Sequence, residues 1–231
     1  MIKERTRFIL ETAVKDFIKH GRPITSEHLY EAYDFGIKPA MIRWELNDLS
    51  ENGFLTQLHH SGGRVPTDRA YRFLVDEFLS EEIGSEEISQ GFDQMVKTFT
   101  KGRRKNFIEE VANYLKIMSV GYEPAGVNFY ESGLDRLLSE LEIDEKEELV
   151  RVVRDIESLE NRLMNFELAE NEPSVFIGQN QLIKSDHLSL IVENFVDRDK
   201  NFLLIAIGPK RMDYRKSLKL FRVFGNSLSN I

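Results

Sequence analysis

The chain has 231 residues, 41% hydrophobic and 30% charged, with a formal net charge of −8 and no cysteine. That length accommodates two small domains with separate cores, and the lack of Cys excludes disulfides, thiolate zinc sites and thiol redox chemistry. No apolar run reaches the length of a membrane span and the N-terminus lacks a signal-peptide pattern, so a cytoplasmic protein with no membrane partner is expected.

The charge is unevenly spread. Residues 1–80 hold 11 Lys+Arg against 12 Asp+Glu, so almost all of the acidic excess lies in residues 81–231. A nearly neutral N-terminal domain still serves a polyanion if its cations face one way, at the cost of weak non-specific affinity.

In chain order, Thr6 to His20 is predicted to be an amphipathic helix with Phe8, Ile9, Ala13, Val14, Phe17 and Ile18 facing inward. Gly21 ends it and Pro23 blocks its continuation. Thr25 or Ser26 caps a short second helix that runs to about Tyr33, and Asp34-Phe35-Gly36 turns into a third. Pro39 suits the first position of that third helix, because its missing N–H has no partner there anyway. Ile42, Leu46 and Leu49 form its buried stripe, and Gly53 stops it. The opposite face carries Lys38, Ala40, Met41, Arg43, Trp44 and Asn47. Phe54 to Leu58 reads as a strand, His59 to Gly63 as a tight tip, and Arg64 onwards as the returning strand. Helix followed by hairpin in this order is how a winged helix-turn-helix is built, with the helix in a DNA major groove and the wing beside phosphates or the minor groove.

Thr67 is expected to cap an exit helix built on Tyr71, Phe73, Leu74 and Phe78, and the acidic stretch Ser80 to Glu87 a hinge. A helix from about Glu86 to Phe99 is interrupted by the basic run Lys101 to Lys105, which is either a solvated helix end, the commoner case, or a phosphate contact. Phe107, Ile108, Val111, Leu115 and Met118 predict a further helix over 107–118. From Glu145 to Ala169 the residues Leu149, Val152, Ile156, Leu159, Leu163 and Phe166 recur in steps of three and four, which predicts a long amphipathic helix. Such a seam joins two chains in a coiled coil or lays one helix on a sheet, the latter being commoner at this length. Beyond Pro173, strands are predicted at Ser174–Ile177, Leu188–Glu193 and Phe202–Ile207, and a closing helix over Met212–Phe224. The expected class is α+β: a winged helix-turn-helix over 1–79, a helical linker over 80–105, and a domain over 106–231 with a small antiparallel sheet.

Several of these stretches carry a family resemblance. SGGRVPTDRAYRFLVD resembles the wing and exit helix of the HrcA heat-inducible transcription repressors, and IKPAMIRWELNDLSENGFL is similar to their recognition helix. VFIGQNQLI and IGPKRMDYRKSLKLF resemble the family's C-terminal strand and glycine-proline turn. The resemblance implies a GAF-like C-terminal domain, reduced here: 115–138 leads almost directly into the heptad-like helix, so early strands of the sheet and most of a dimerising insertion are expected to be absent, leaving three strands. It also implies a homodimer on an inverted-repeat operator in double-stranded DNA upstream of heat-shock and chaperone genes, with a chaperonin promoting the active fold.

The recognition helix departs from the family pattern. Where the family reads Ser-Pro-Ala-Thr-Ile-Arg-Asn-Asp, this chain has Lys38-Pro39-Ala40-Met41-Ile42-Arg43-Trp44-Glu45. Losing the amide at position 44 removes a group suited to reading adenine, so an altered half-site is expected. Arg43 is read as a base or phosphate contact rather than a partner of Asn47 or Asp48. Trp44 lies either on the DNA face or against the wing.

Lys38 and Arg64 are read as phosphate or minor-groove contacts, and Gly62 and Gly63 as the wing tip. His59 and His60 point to opposite faces of a strand with no completing ligand, so they read as wing-tip DNA contacts and no metal is expected. Arg211 and Asp213 fit a turn-stabilising ion pair. No nucleophile elbow, zinc-protease helix or phosphate-binding glycine pattern occurs, so neither an enzyme nor a cofactor is expected. The alternative to a repressor is a sensor or scaffold whose winged helix binds protein and whose C-terminal domain binds a ligand or protein.

Overall fold

Apolar residues at 9, 10, 13 and 14 give the first helix one buried side, and the computed structural model places Ile9, Leu10, Ala13 and Val14 in a core with no exposed surface. The structure describes residues 2–57, 62–81, 90–143, 145–166, 173–198 and 200–229. These divide into two units, Met1–Ser80 and Glu81–Ile231. No helix among the described residues is long and apolar enough to cross a membrane.

In the first unit, α1 (Glu4–His20) ends where Gly21 turns left-handed at φ 65° and donates its N–H to the Phe17 carbonyl. Phe8 departs from expectation: it lies outside the core, 53% exposed, with its ring edge-on to Phe35. Thr25 caps α2 (Ser26–Ala32) by accepting the His28 N–H at 3.1 Å. α3 (Pro39–Glu51) buries Ile42, Leu46 and Leu49 as the spacing requires. Strands β1 (Leu55–Gln57) and β2 (Arg64–Pro66) pair antiparallel, with Thr56 opposite Val65. β2 is held from its other side by Ile24, which exchanges two backbone hydrogen bonds with Arg64 at 2.7 and 2.8 Å. That close approach requires glycine at 63, where a Cβ would sit 2.7 Å from the Ile24 carbonyl oxygen. α4 (Asp68–Ser80) packs Ala70, Tyr71, Leu74, Val75 and Phe78 inward. The Thr67 hydroxyl does not cap this helix; it donates back to the carbonyls of Gly53 and Phe54 at 2.7 and 3.1 Å. His59, His60 and most of the expected hinge fall outside the described residues.

The second unit contains more sheet than expected. Its elements are α5 (Gln90–Thr100), α6 (Arg104–Leu115), β3 (Met118–Glu123), β4 (Asn128–Ser132), α7 (Leu134–Glu140), α8 (Lys146–Glu157), α9 (Leu159–Leu163), β5 (Ser174–Ile177), β6 (Leu188–Asp197), β7 (Lys200–Pro209) and α10 (Tyr214–Ser229). The strands form one antiparallel sheet in the order β4-β3-β7-β6-β5. The expectation of three strands is therefore corrected to five. α6 stops at Leu115 because Lys116 adopts the left-handed conformation at φ 64°, and Met118 opens a strand instead of closing a helix.

Alternation along the strands sorts the core into two layers. Met118, Val120 and Tyr122 of β3, Leu188, Leu190 and Val192 of β6, and Leu203, Ile205 and Ile207 of β7 share one cluster with Leu137, Val152, Ile156, Leu159 and Leu163. The described part of the seam is thus helical over 146–163 and lies on the chain's own sheet. It is broken at Ser158 into α8 and α9. Val152, Ile156, Leu159 and Leu163 are between 0 and 5% exposed, Phe166 packs on the same cluster, and Leu149 is half-buried, so within the chain this apolar stripe is covered by the sheet.

On the other face, Phe99 of α5 meets Phe107, Phe202 and Phe224, each with ring centroids 5.0 Å away. α5, which lies inside the expected linker, is therefore part of this core. Arg104 from the basic run is also structural: its guanidinium stacks 3.7 Å from Phe99 and pairs with Glu123 at 2.9 Å and with Asp197. Arg211 and Asp213 do not pair in the expected way. Arg211 reaches Glu142 at 3.1 Å, and the Asp213 carboxylate caps α10 by accepting the Lys216 N–H at 2.9 Å.

Candidate nucleic-acid interface

The stripe that buries Ile42, Leu46 and Leu49 forces the opposite side of α3 outward. Lys38, Ala40, Met41, Arg43, Trp44 and Asn47 are all exposed there, with Trp44 52% and Met41 42% accessible. Large apolar side chains left in water on a helix that also carries cations and an amide form a surface suited to a partner with both apolar and anionic parts.

One member of the buried side is charged. Glu45 is fully buried, and its carboxylate accepts from the Arg5 guanidinium at 2.6 and 2.9 Å and from the Thr6 hydroxyl at 2.7 Å. Those bonds anchor α3 to α1 and set the rotation of the exposed face. Sequence reasoning missed Glu45 because a charged residue inside a helical pattern reads as solvated.

The hairpin is tied to the same helix. Arg64 on β2 is half-buried, donating from Nε to the Ser50 hydroxyl at 3.1 Å and from Nη2 to the Asn47 side-chain oxygen. Burial, and then the positive charge of Arg43, lower the Arg64 pKa from its ordinary value. Two guanidinium groups that feel each other's charge make a place where an added anion relieves repulsion. Asn47 accepts from Arg64, so its amide N–H groups remain to donate. Arg43 pairs with neither Asn47 nor Asp48 among the described residues. Arg64, expected from the sequence to be a phosphate or minor-groove contact, is braced against α3 through Ser50 and Asn47.

The family model described as HrcA protein C terminal domain matches residues 69–218, well over half of the chain. The chain belongs to the HrcA family. A heat-inducible transcription repressor HrcA from Natranaerobius thermophilus is 47% identical over 76 residues, covering 33% of this chain and 22% of the relative. The one from Acetivibrio thermocellus is 28% identical over 172 residues, covering 71% of this chain and 46% of the relative. The chain thus matches less than half the length of these HrcA repressors. A solved structure described only as a hypothetical protein covers 100% of this chain and 98% of its own, with a TM-score of 0.77 at 16% identity. That likeness concerns the fold alone, and it supports the α+β arrangement with a small antiparallel sheet.

Proposed function

We propose that this HrcA-family chain is a DNA-binding transcriptional repressor whose first unit is a winged helix-turn-helix. α3 is the recognition helix and the β1–β2 hairpin the wing. The observation that carries this reading is the exposed face of Lys38, Met41, Arg43, Trp44 and Asn47, with Arg64 braced onto it from the hairpin. A recognition helix enters the major groove with its N-terminal residues nearest the base edges. On α3 those are Ala40, Met41, Arg43 and Trp44. Arg43 supplies a fork suited to guanine O6 and N7 or to a phosphate, and the Asn47 amide lies one turn further on. Trp44 and Met41 offer apolar contact to thymine methyl groups or sugars.

Two copies acting on an inverted repeat double the number of base contacts, which compensates the weak electrostatic attraction of a unit with almost no net charge. Occupation of the operator blocks transcription of heat-shock genes, and binding to a chaperonin sets how much active repressor exists. The dimer contact lies outside the α8–α9 seam.

A specific observation favours a ligand-sensing role for the second unit alongside this one. A cleft of about 510 Å³ there is lined by Arg151, Arg154, Arg162, Lys184 and His187 together with Glu148, Asp155 and Asp186, so its cations only slightly outnumber its carboxylates and leave Arg154 and Lys184 for an anionic group on a ligand.

Titration of the full chain with duplex DNA, followed by Trp44 fluorescence, tests the repressor reading. Trp44 is the only tryptophan, so its emission reports this face alone. Saturable quenching at low salt that weakens steeply as salt rises is the expected result. An emission unaltered by duplex at low salt would overturn the reading.

A further inference from the structure

We infer that Asp16, His20 and His28 form a binding site for one divalent transition-metal ion, of the zinc type, in the first unit. Asp16 and His20 are one helical turn apart on α1 and so share a face, while His28 comes from α2. The two oxygens of a single carboxylate are each met by an imidazole nitrogen. His20 Nδ1 lies 3.1 Å from Oδ1 and His28 Nε2 lies 3.0 Å from Oδ2. All three candidate ligand atoms lie within 4.8 Å of one another. Ligands held about 2.0–2.1 Å from a tetrahedral zinc ion stand roughly 3.4 Å apart, so small rotations of the two rings complete the set.

The chemistry of the donors fits such an ion. Two imidazoles and one carboxylate leave a coordination position open to water, and they exclude the hard, all-oxygen preference of calcium or magnesium. Asp16 is 2% exposed, and the Tyr33 hydroxyl donates to its Oδ1 at 2.7 Å, which fixes the carboxylate as outer partners of metal ligands do. The imidazoles are 39 and 42% exposed, which gives an ion a way in and lets the rings turn.

Each ring nitrogen that now faces Asp16 carries the proton of a hydrogen bond. Coordination shifts that proton to the other nitrogen of the same ring, so a neutral imidazole binds without losing a proton. The ion would clamp α1 to α2 and add to the stability of the unit that holds α3. This site does not depend on whether α3 reads DNA.

The test is titration of the full-length, chelator-stripped chain with Co²⁺ alone, followed by visible absorption and calorimetry, together with thermal unfolding at saturation. One equivalent bound, with ligand-field bands and a raised midpoint, is expected. His20→Ala and His28→Ala should each weaken binding at least about tenfold. Both side chains are partly exposed, so both variants should retain the wild-type circular dichroism; His28→Gln offers a second, shape-preserving check. Substitution of His59 and His60, or of His187, should leave binding unchanged. No binding at about 1 mM Co²⁺ would overturn the site, as would binding that survives both His20→Ala and His28→Ala.

Discussion

Arg64 on the returning strand and Asn47 on α3 are joined side chain to side chain, across 17 positions of sequence. The bond makes hairpin and helix one surface, and it engages the Asn47 oxygen while its amide N–H groups remain able to donate. Coupling between the two follows. Asn47→Ala and Arg64→Ala should each weaken duplex binding, and the double variant should lose less than the sum of the singles, by about 0.5–1.5 kcal/mol. A double-mutant cycle by fluorescence anisotropy measures this; strict additivity would mean the pair acts as two independent contacts.

Arg43 should separate binding from stability. It is exposed and contributes unfavourable charge at Arg64, so Arg43→Ala should leave thermal stability unchanged or slightly raised. Specific DNA affinity should nevertheless fall by about 1–3 kcal/mol. Wild-type affinity for a selected operator would remove Arg43 from the reading face.

Glu45 should behave in the opposite way. Arg5→Ala leaves a buried carboxylate with the Thr6 hydroxyl as its remaining partner, and should cost about 1–3 kcal/mol in denaturant unfolding. Glu45→Gln keeps the shape but weakens the grip of Arg5, which is itself 46% exposed, so its cost should be smaller. Equal and negligible losses would show that the network does not anchor α3.

The α8–α9 helices supply a stability test that also bears on assembly. Leu159 is fully buried against the sheet, so Leu159→Ala should cost about 2–5 kcal/mol in chemical denaturation. A loss below roughly 1 kcal/mol, combined with a change in oligomer mass, would return the seam to an interface between chains.

Acid should act on the second unit through Glu123. Burial raises its pKa, but hydrogen bonds from Arg104, Asn128 and Tyr130 and the Arg104 charge outweigh burial and hold it below the ordinary value of 4.5. A carboxylate lowered in the folded state stabilises the fold above its unfolded pKa, and that stability is lost as pH falls through the folded value. Unfolding curves from pH 7 downward should therefore show stability falling below about pH 5, and Glu123→Gln should be less stable at pH 7 with a shallower fall. Identical pH profiles would exclude this contribution.

Much of the first unit was legible because its periods are simple. Ile42, Leu46 and Leu49 mark a helix face, and Gly21 and Gly53 sit where left-handed turns end helices. The second unit resisted for physical reasons. β3 follows α6 through a left-handed lysine at 116 where a glycine would have signalled a break, and its alternation lasts only six residues. The steps of three and four in α8–α9 are the same for a coiled coil and for a helix on a sheet, so only the burial of Val152 and Leu159 decides between them. The exposed face of α3 was readable from spacing, whereas the support beneath it was not. Glu45 with Arg5, Asn47 with Arg64, and Asp16 with His28 are pairings set by tertiary structure.

Selection of bound duplexes from a random pool by the wild-type chain at low salt tests DNA recognition most directly. Recovery of an inverted repeat is expected, with a half-site reflecting Met41 and Trp44 and a motif that Arg43→Ala no longer enriches. A pool with no sequence above background, from wild-type protein shown to be folded, would contradict the assignment of α3 as a recognition helix.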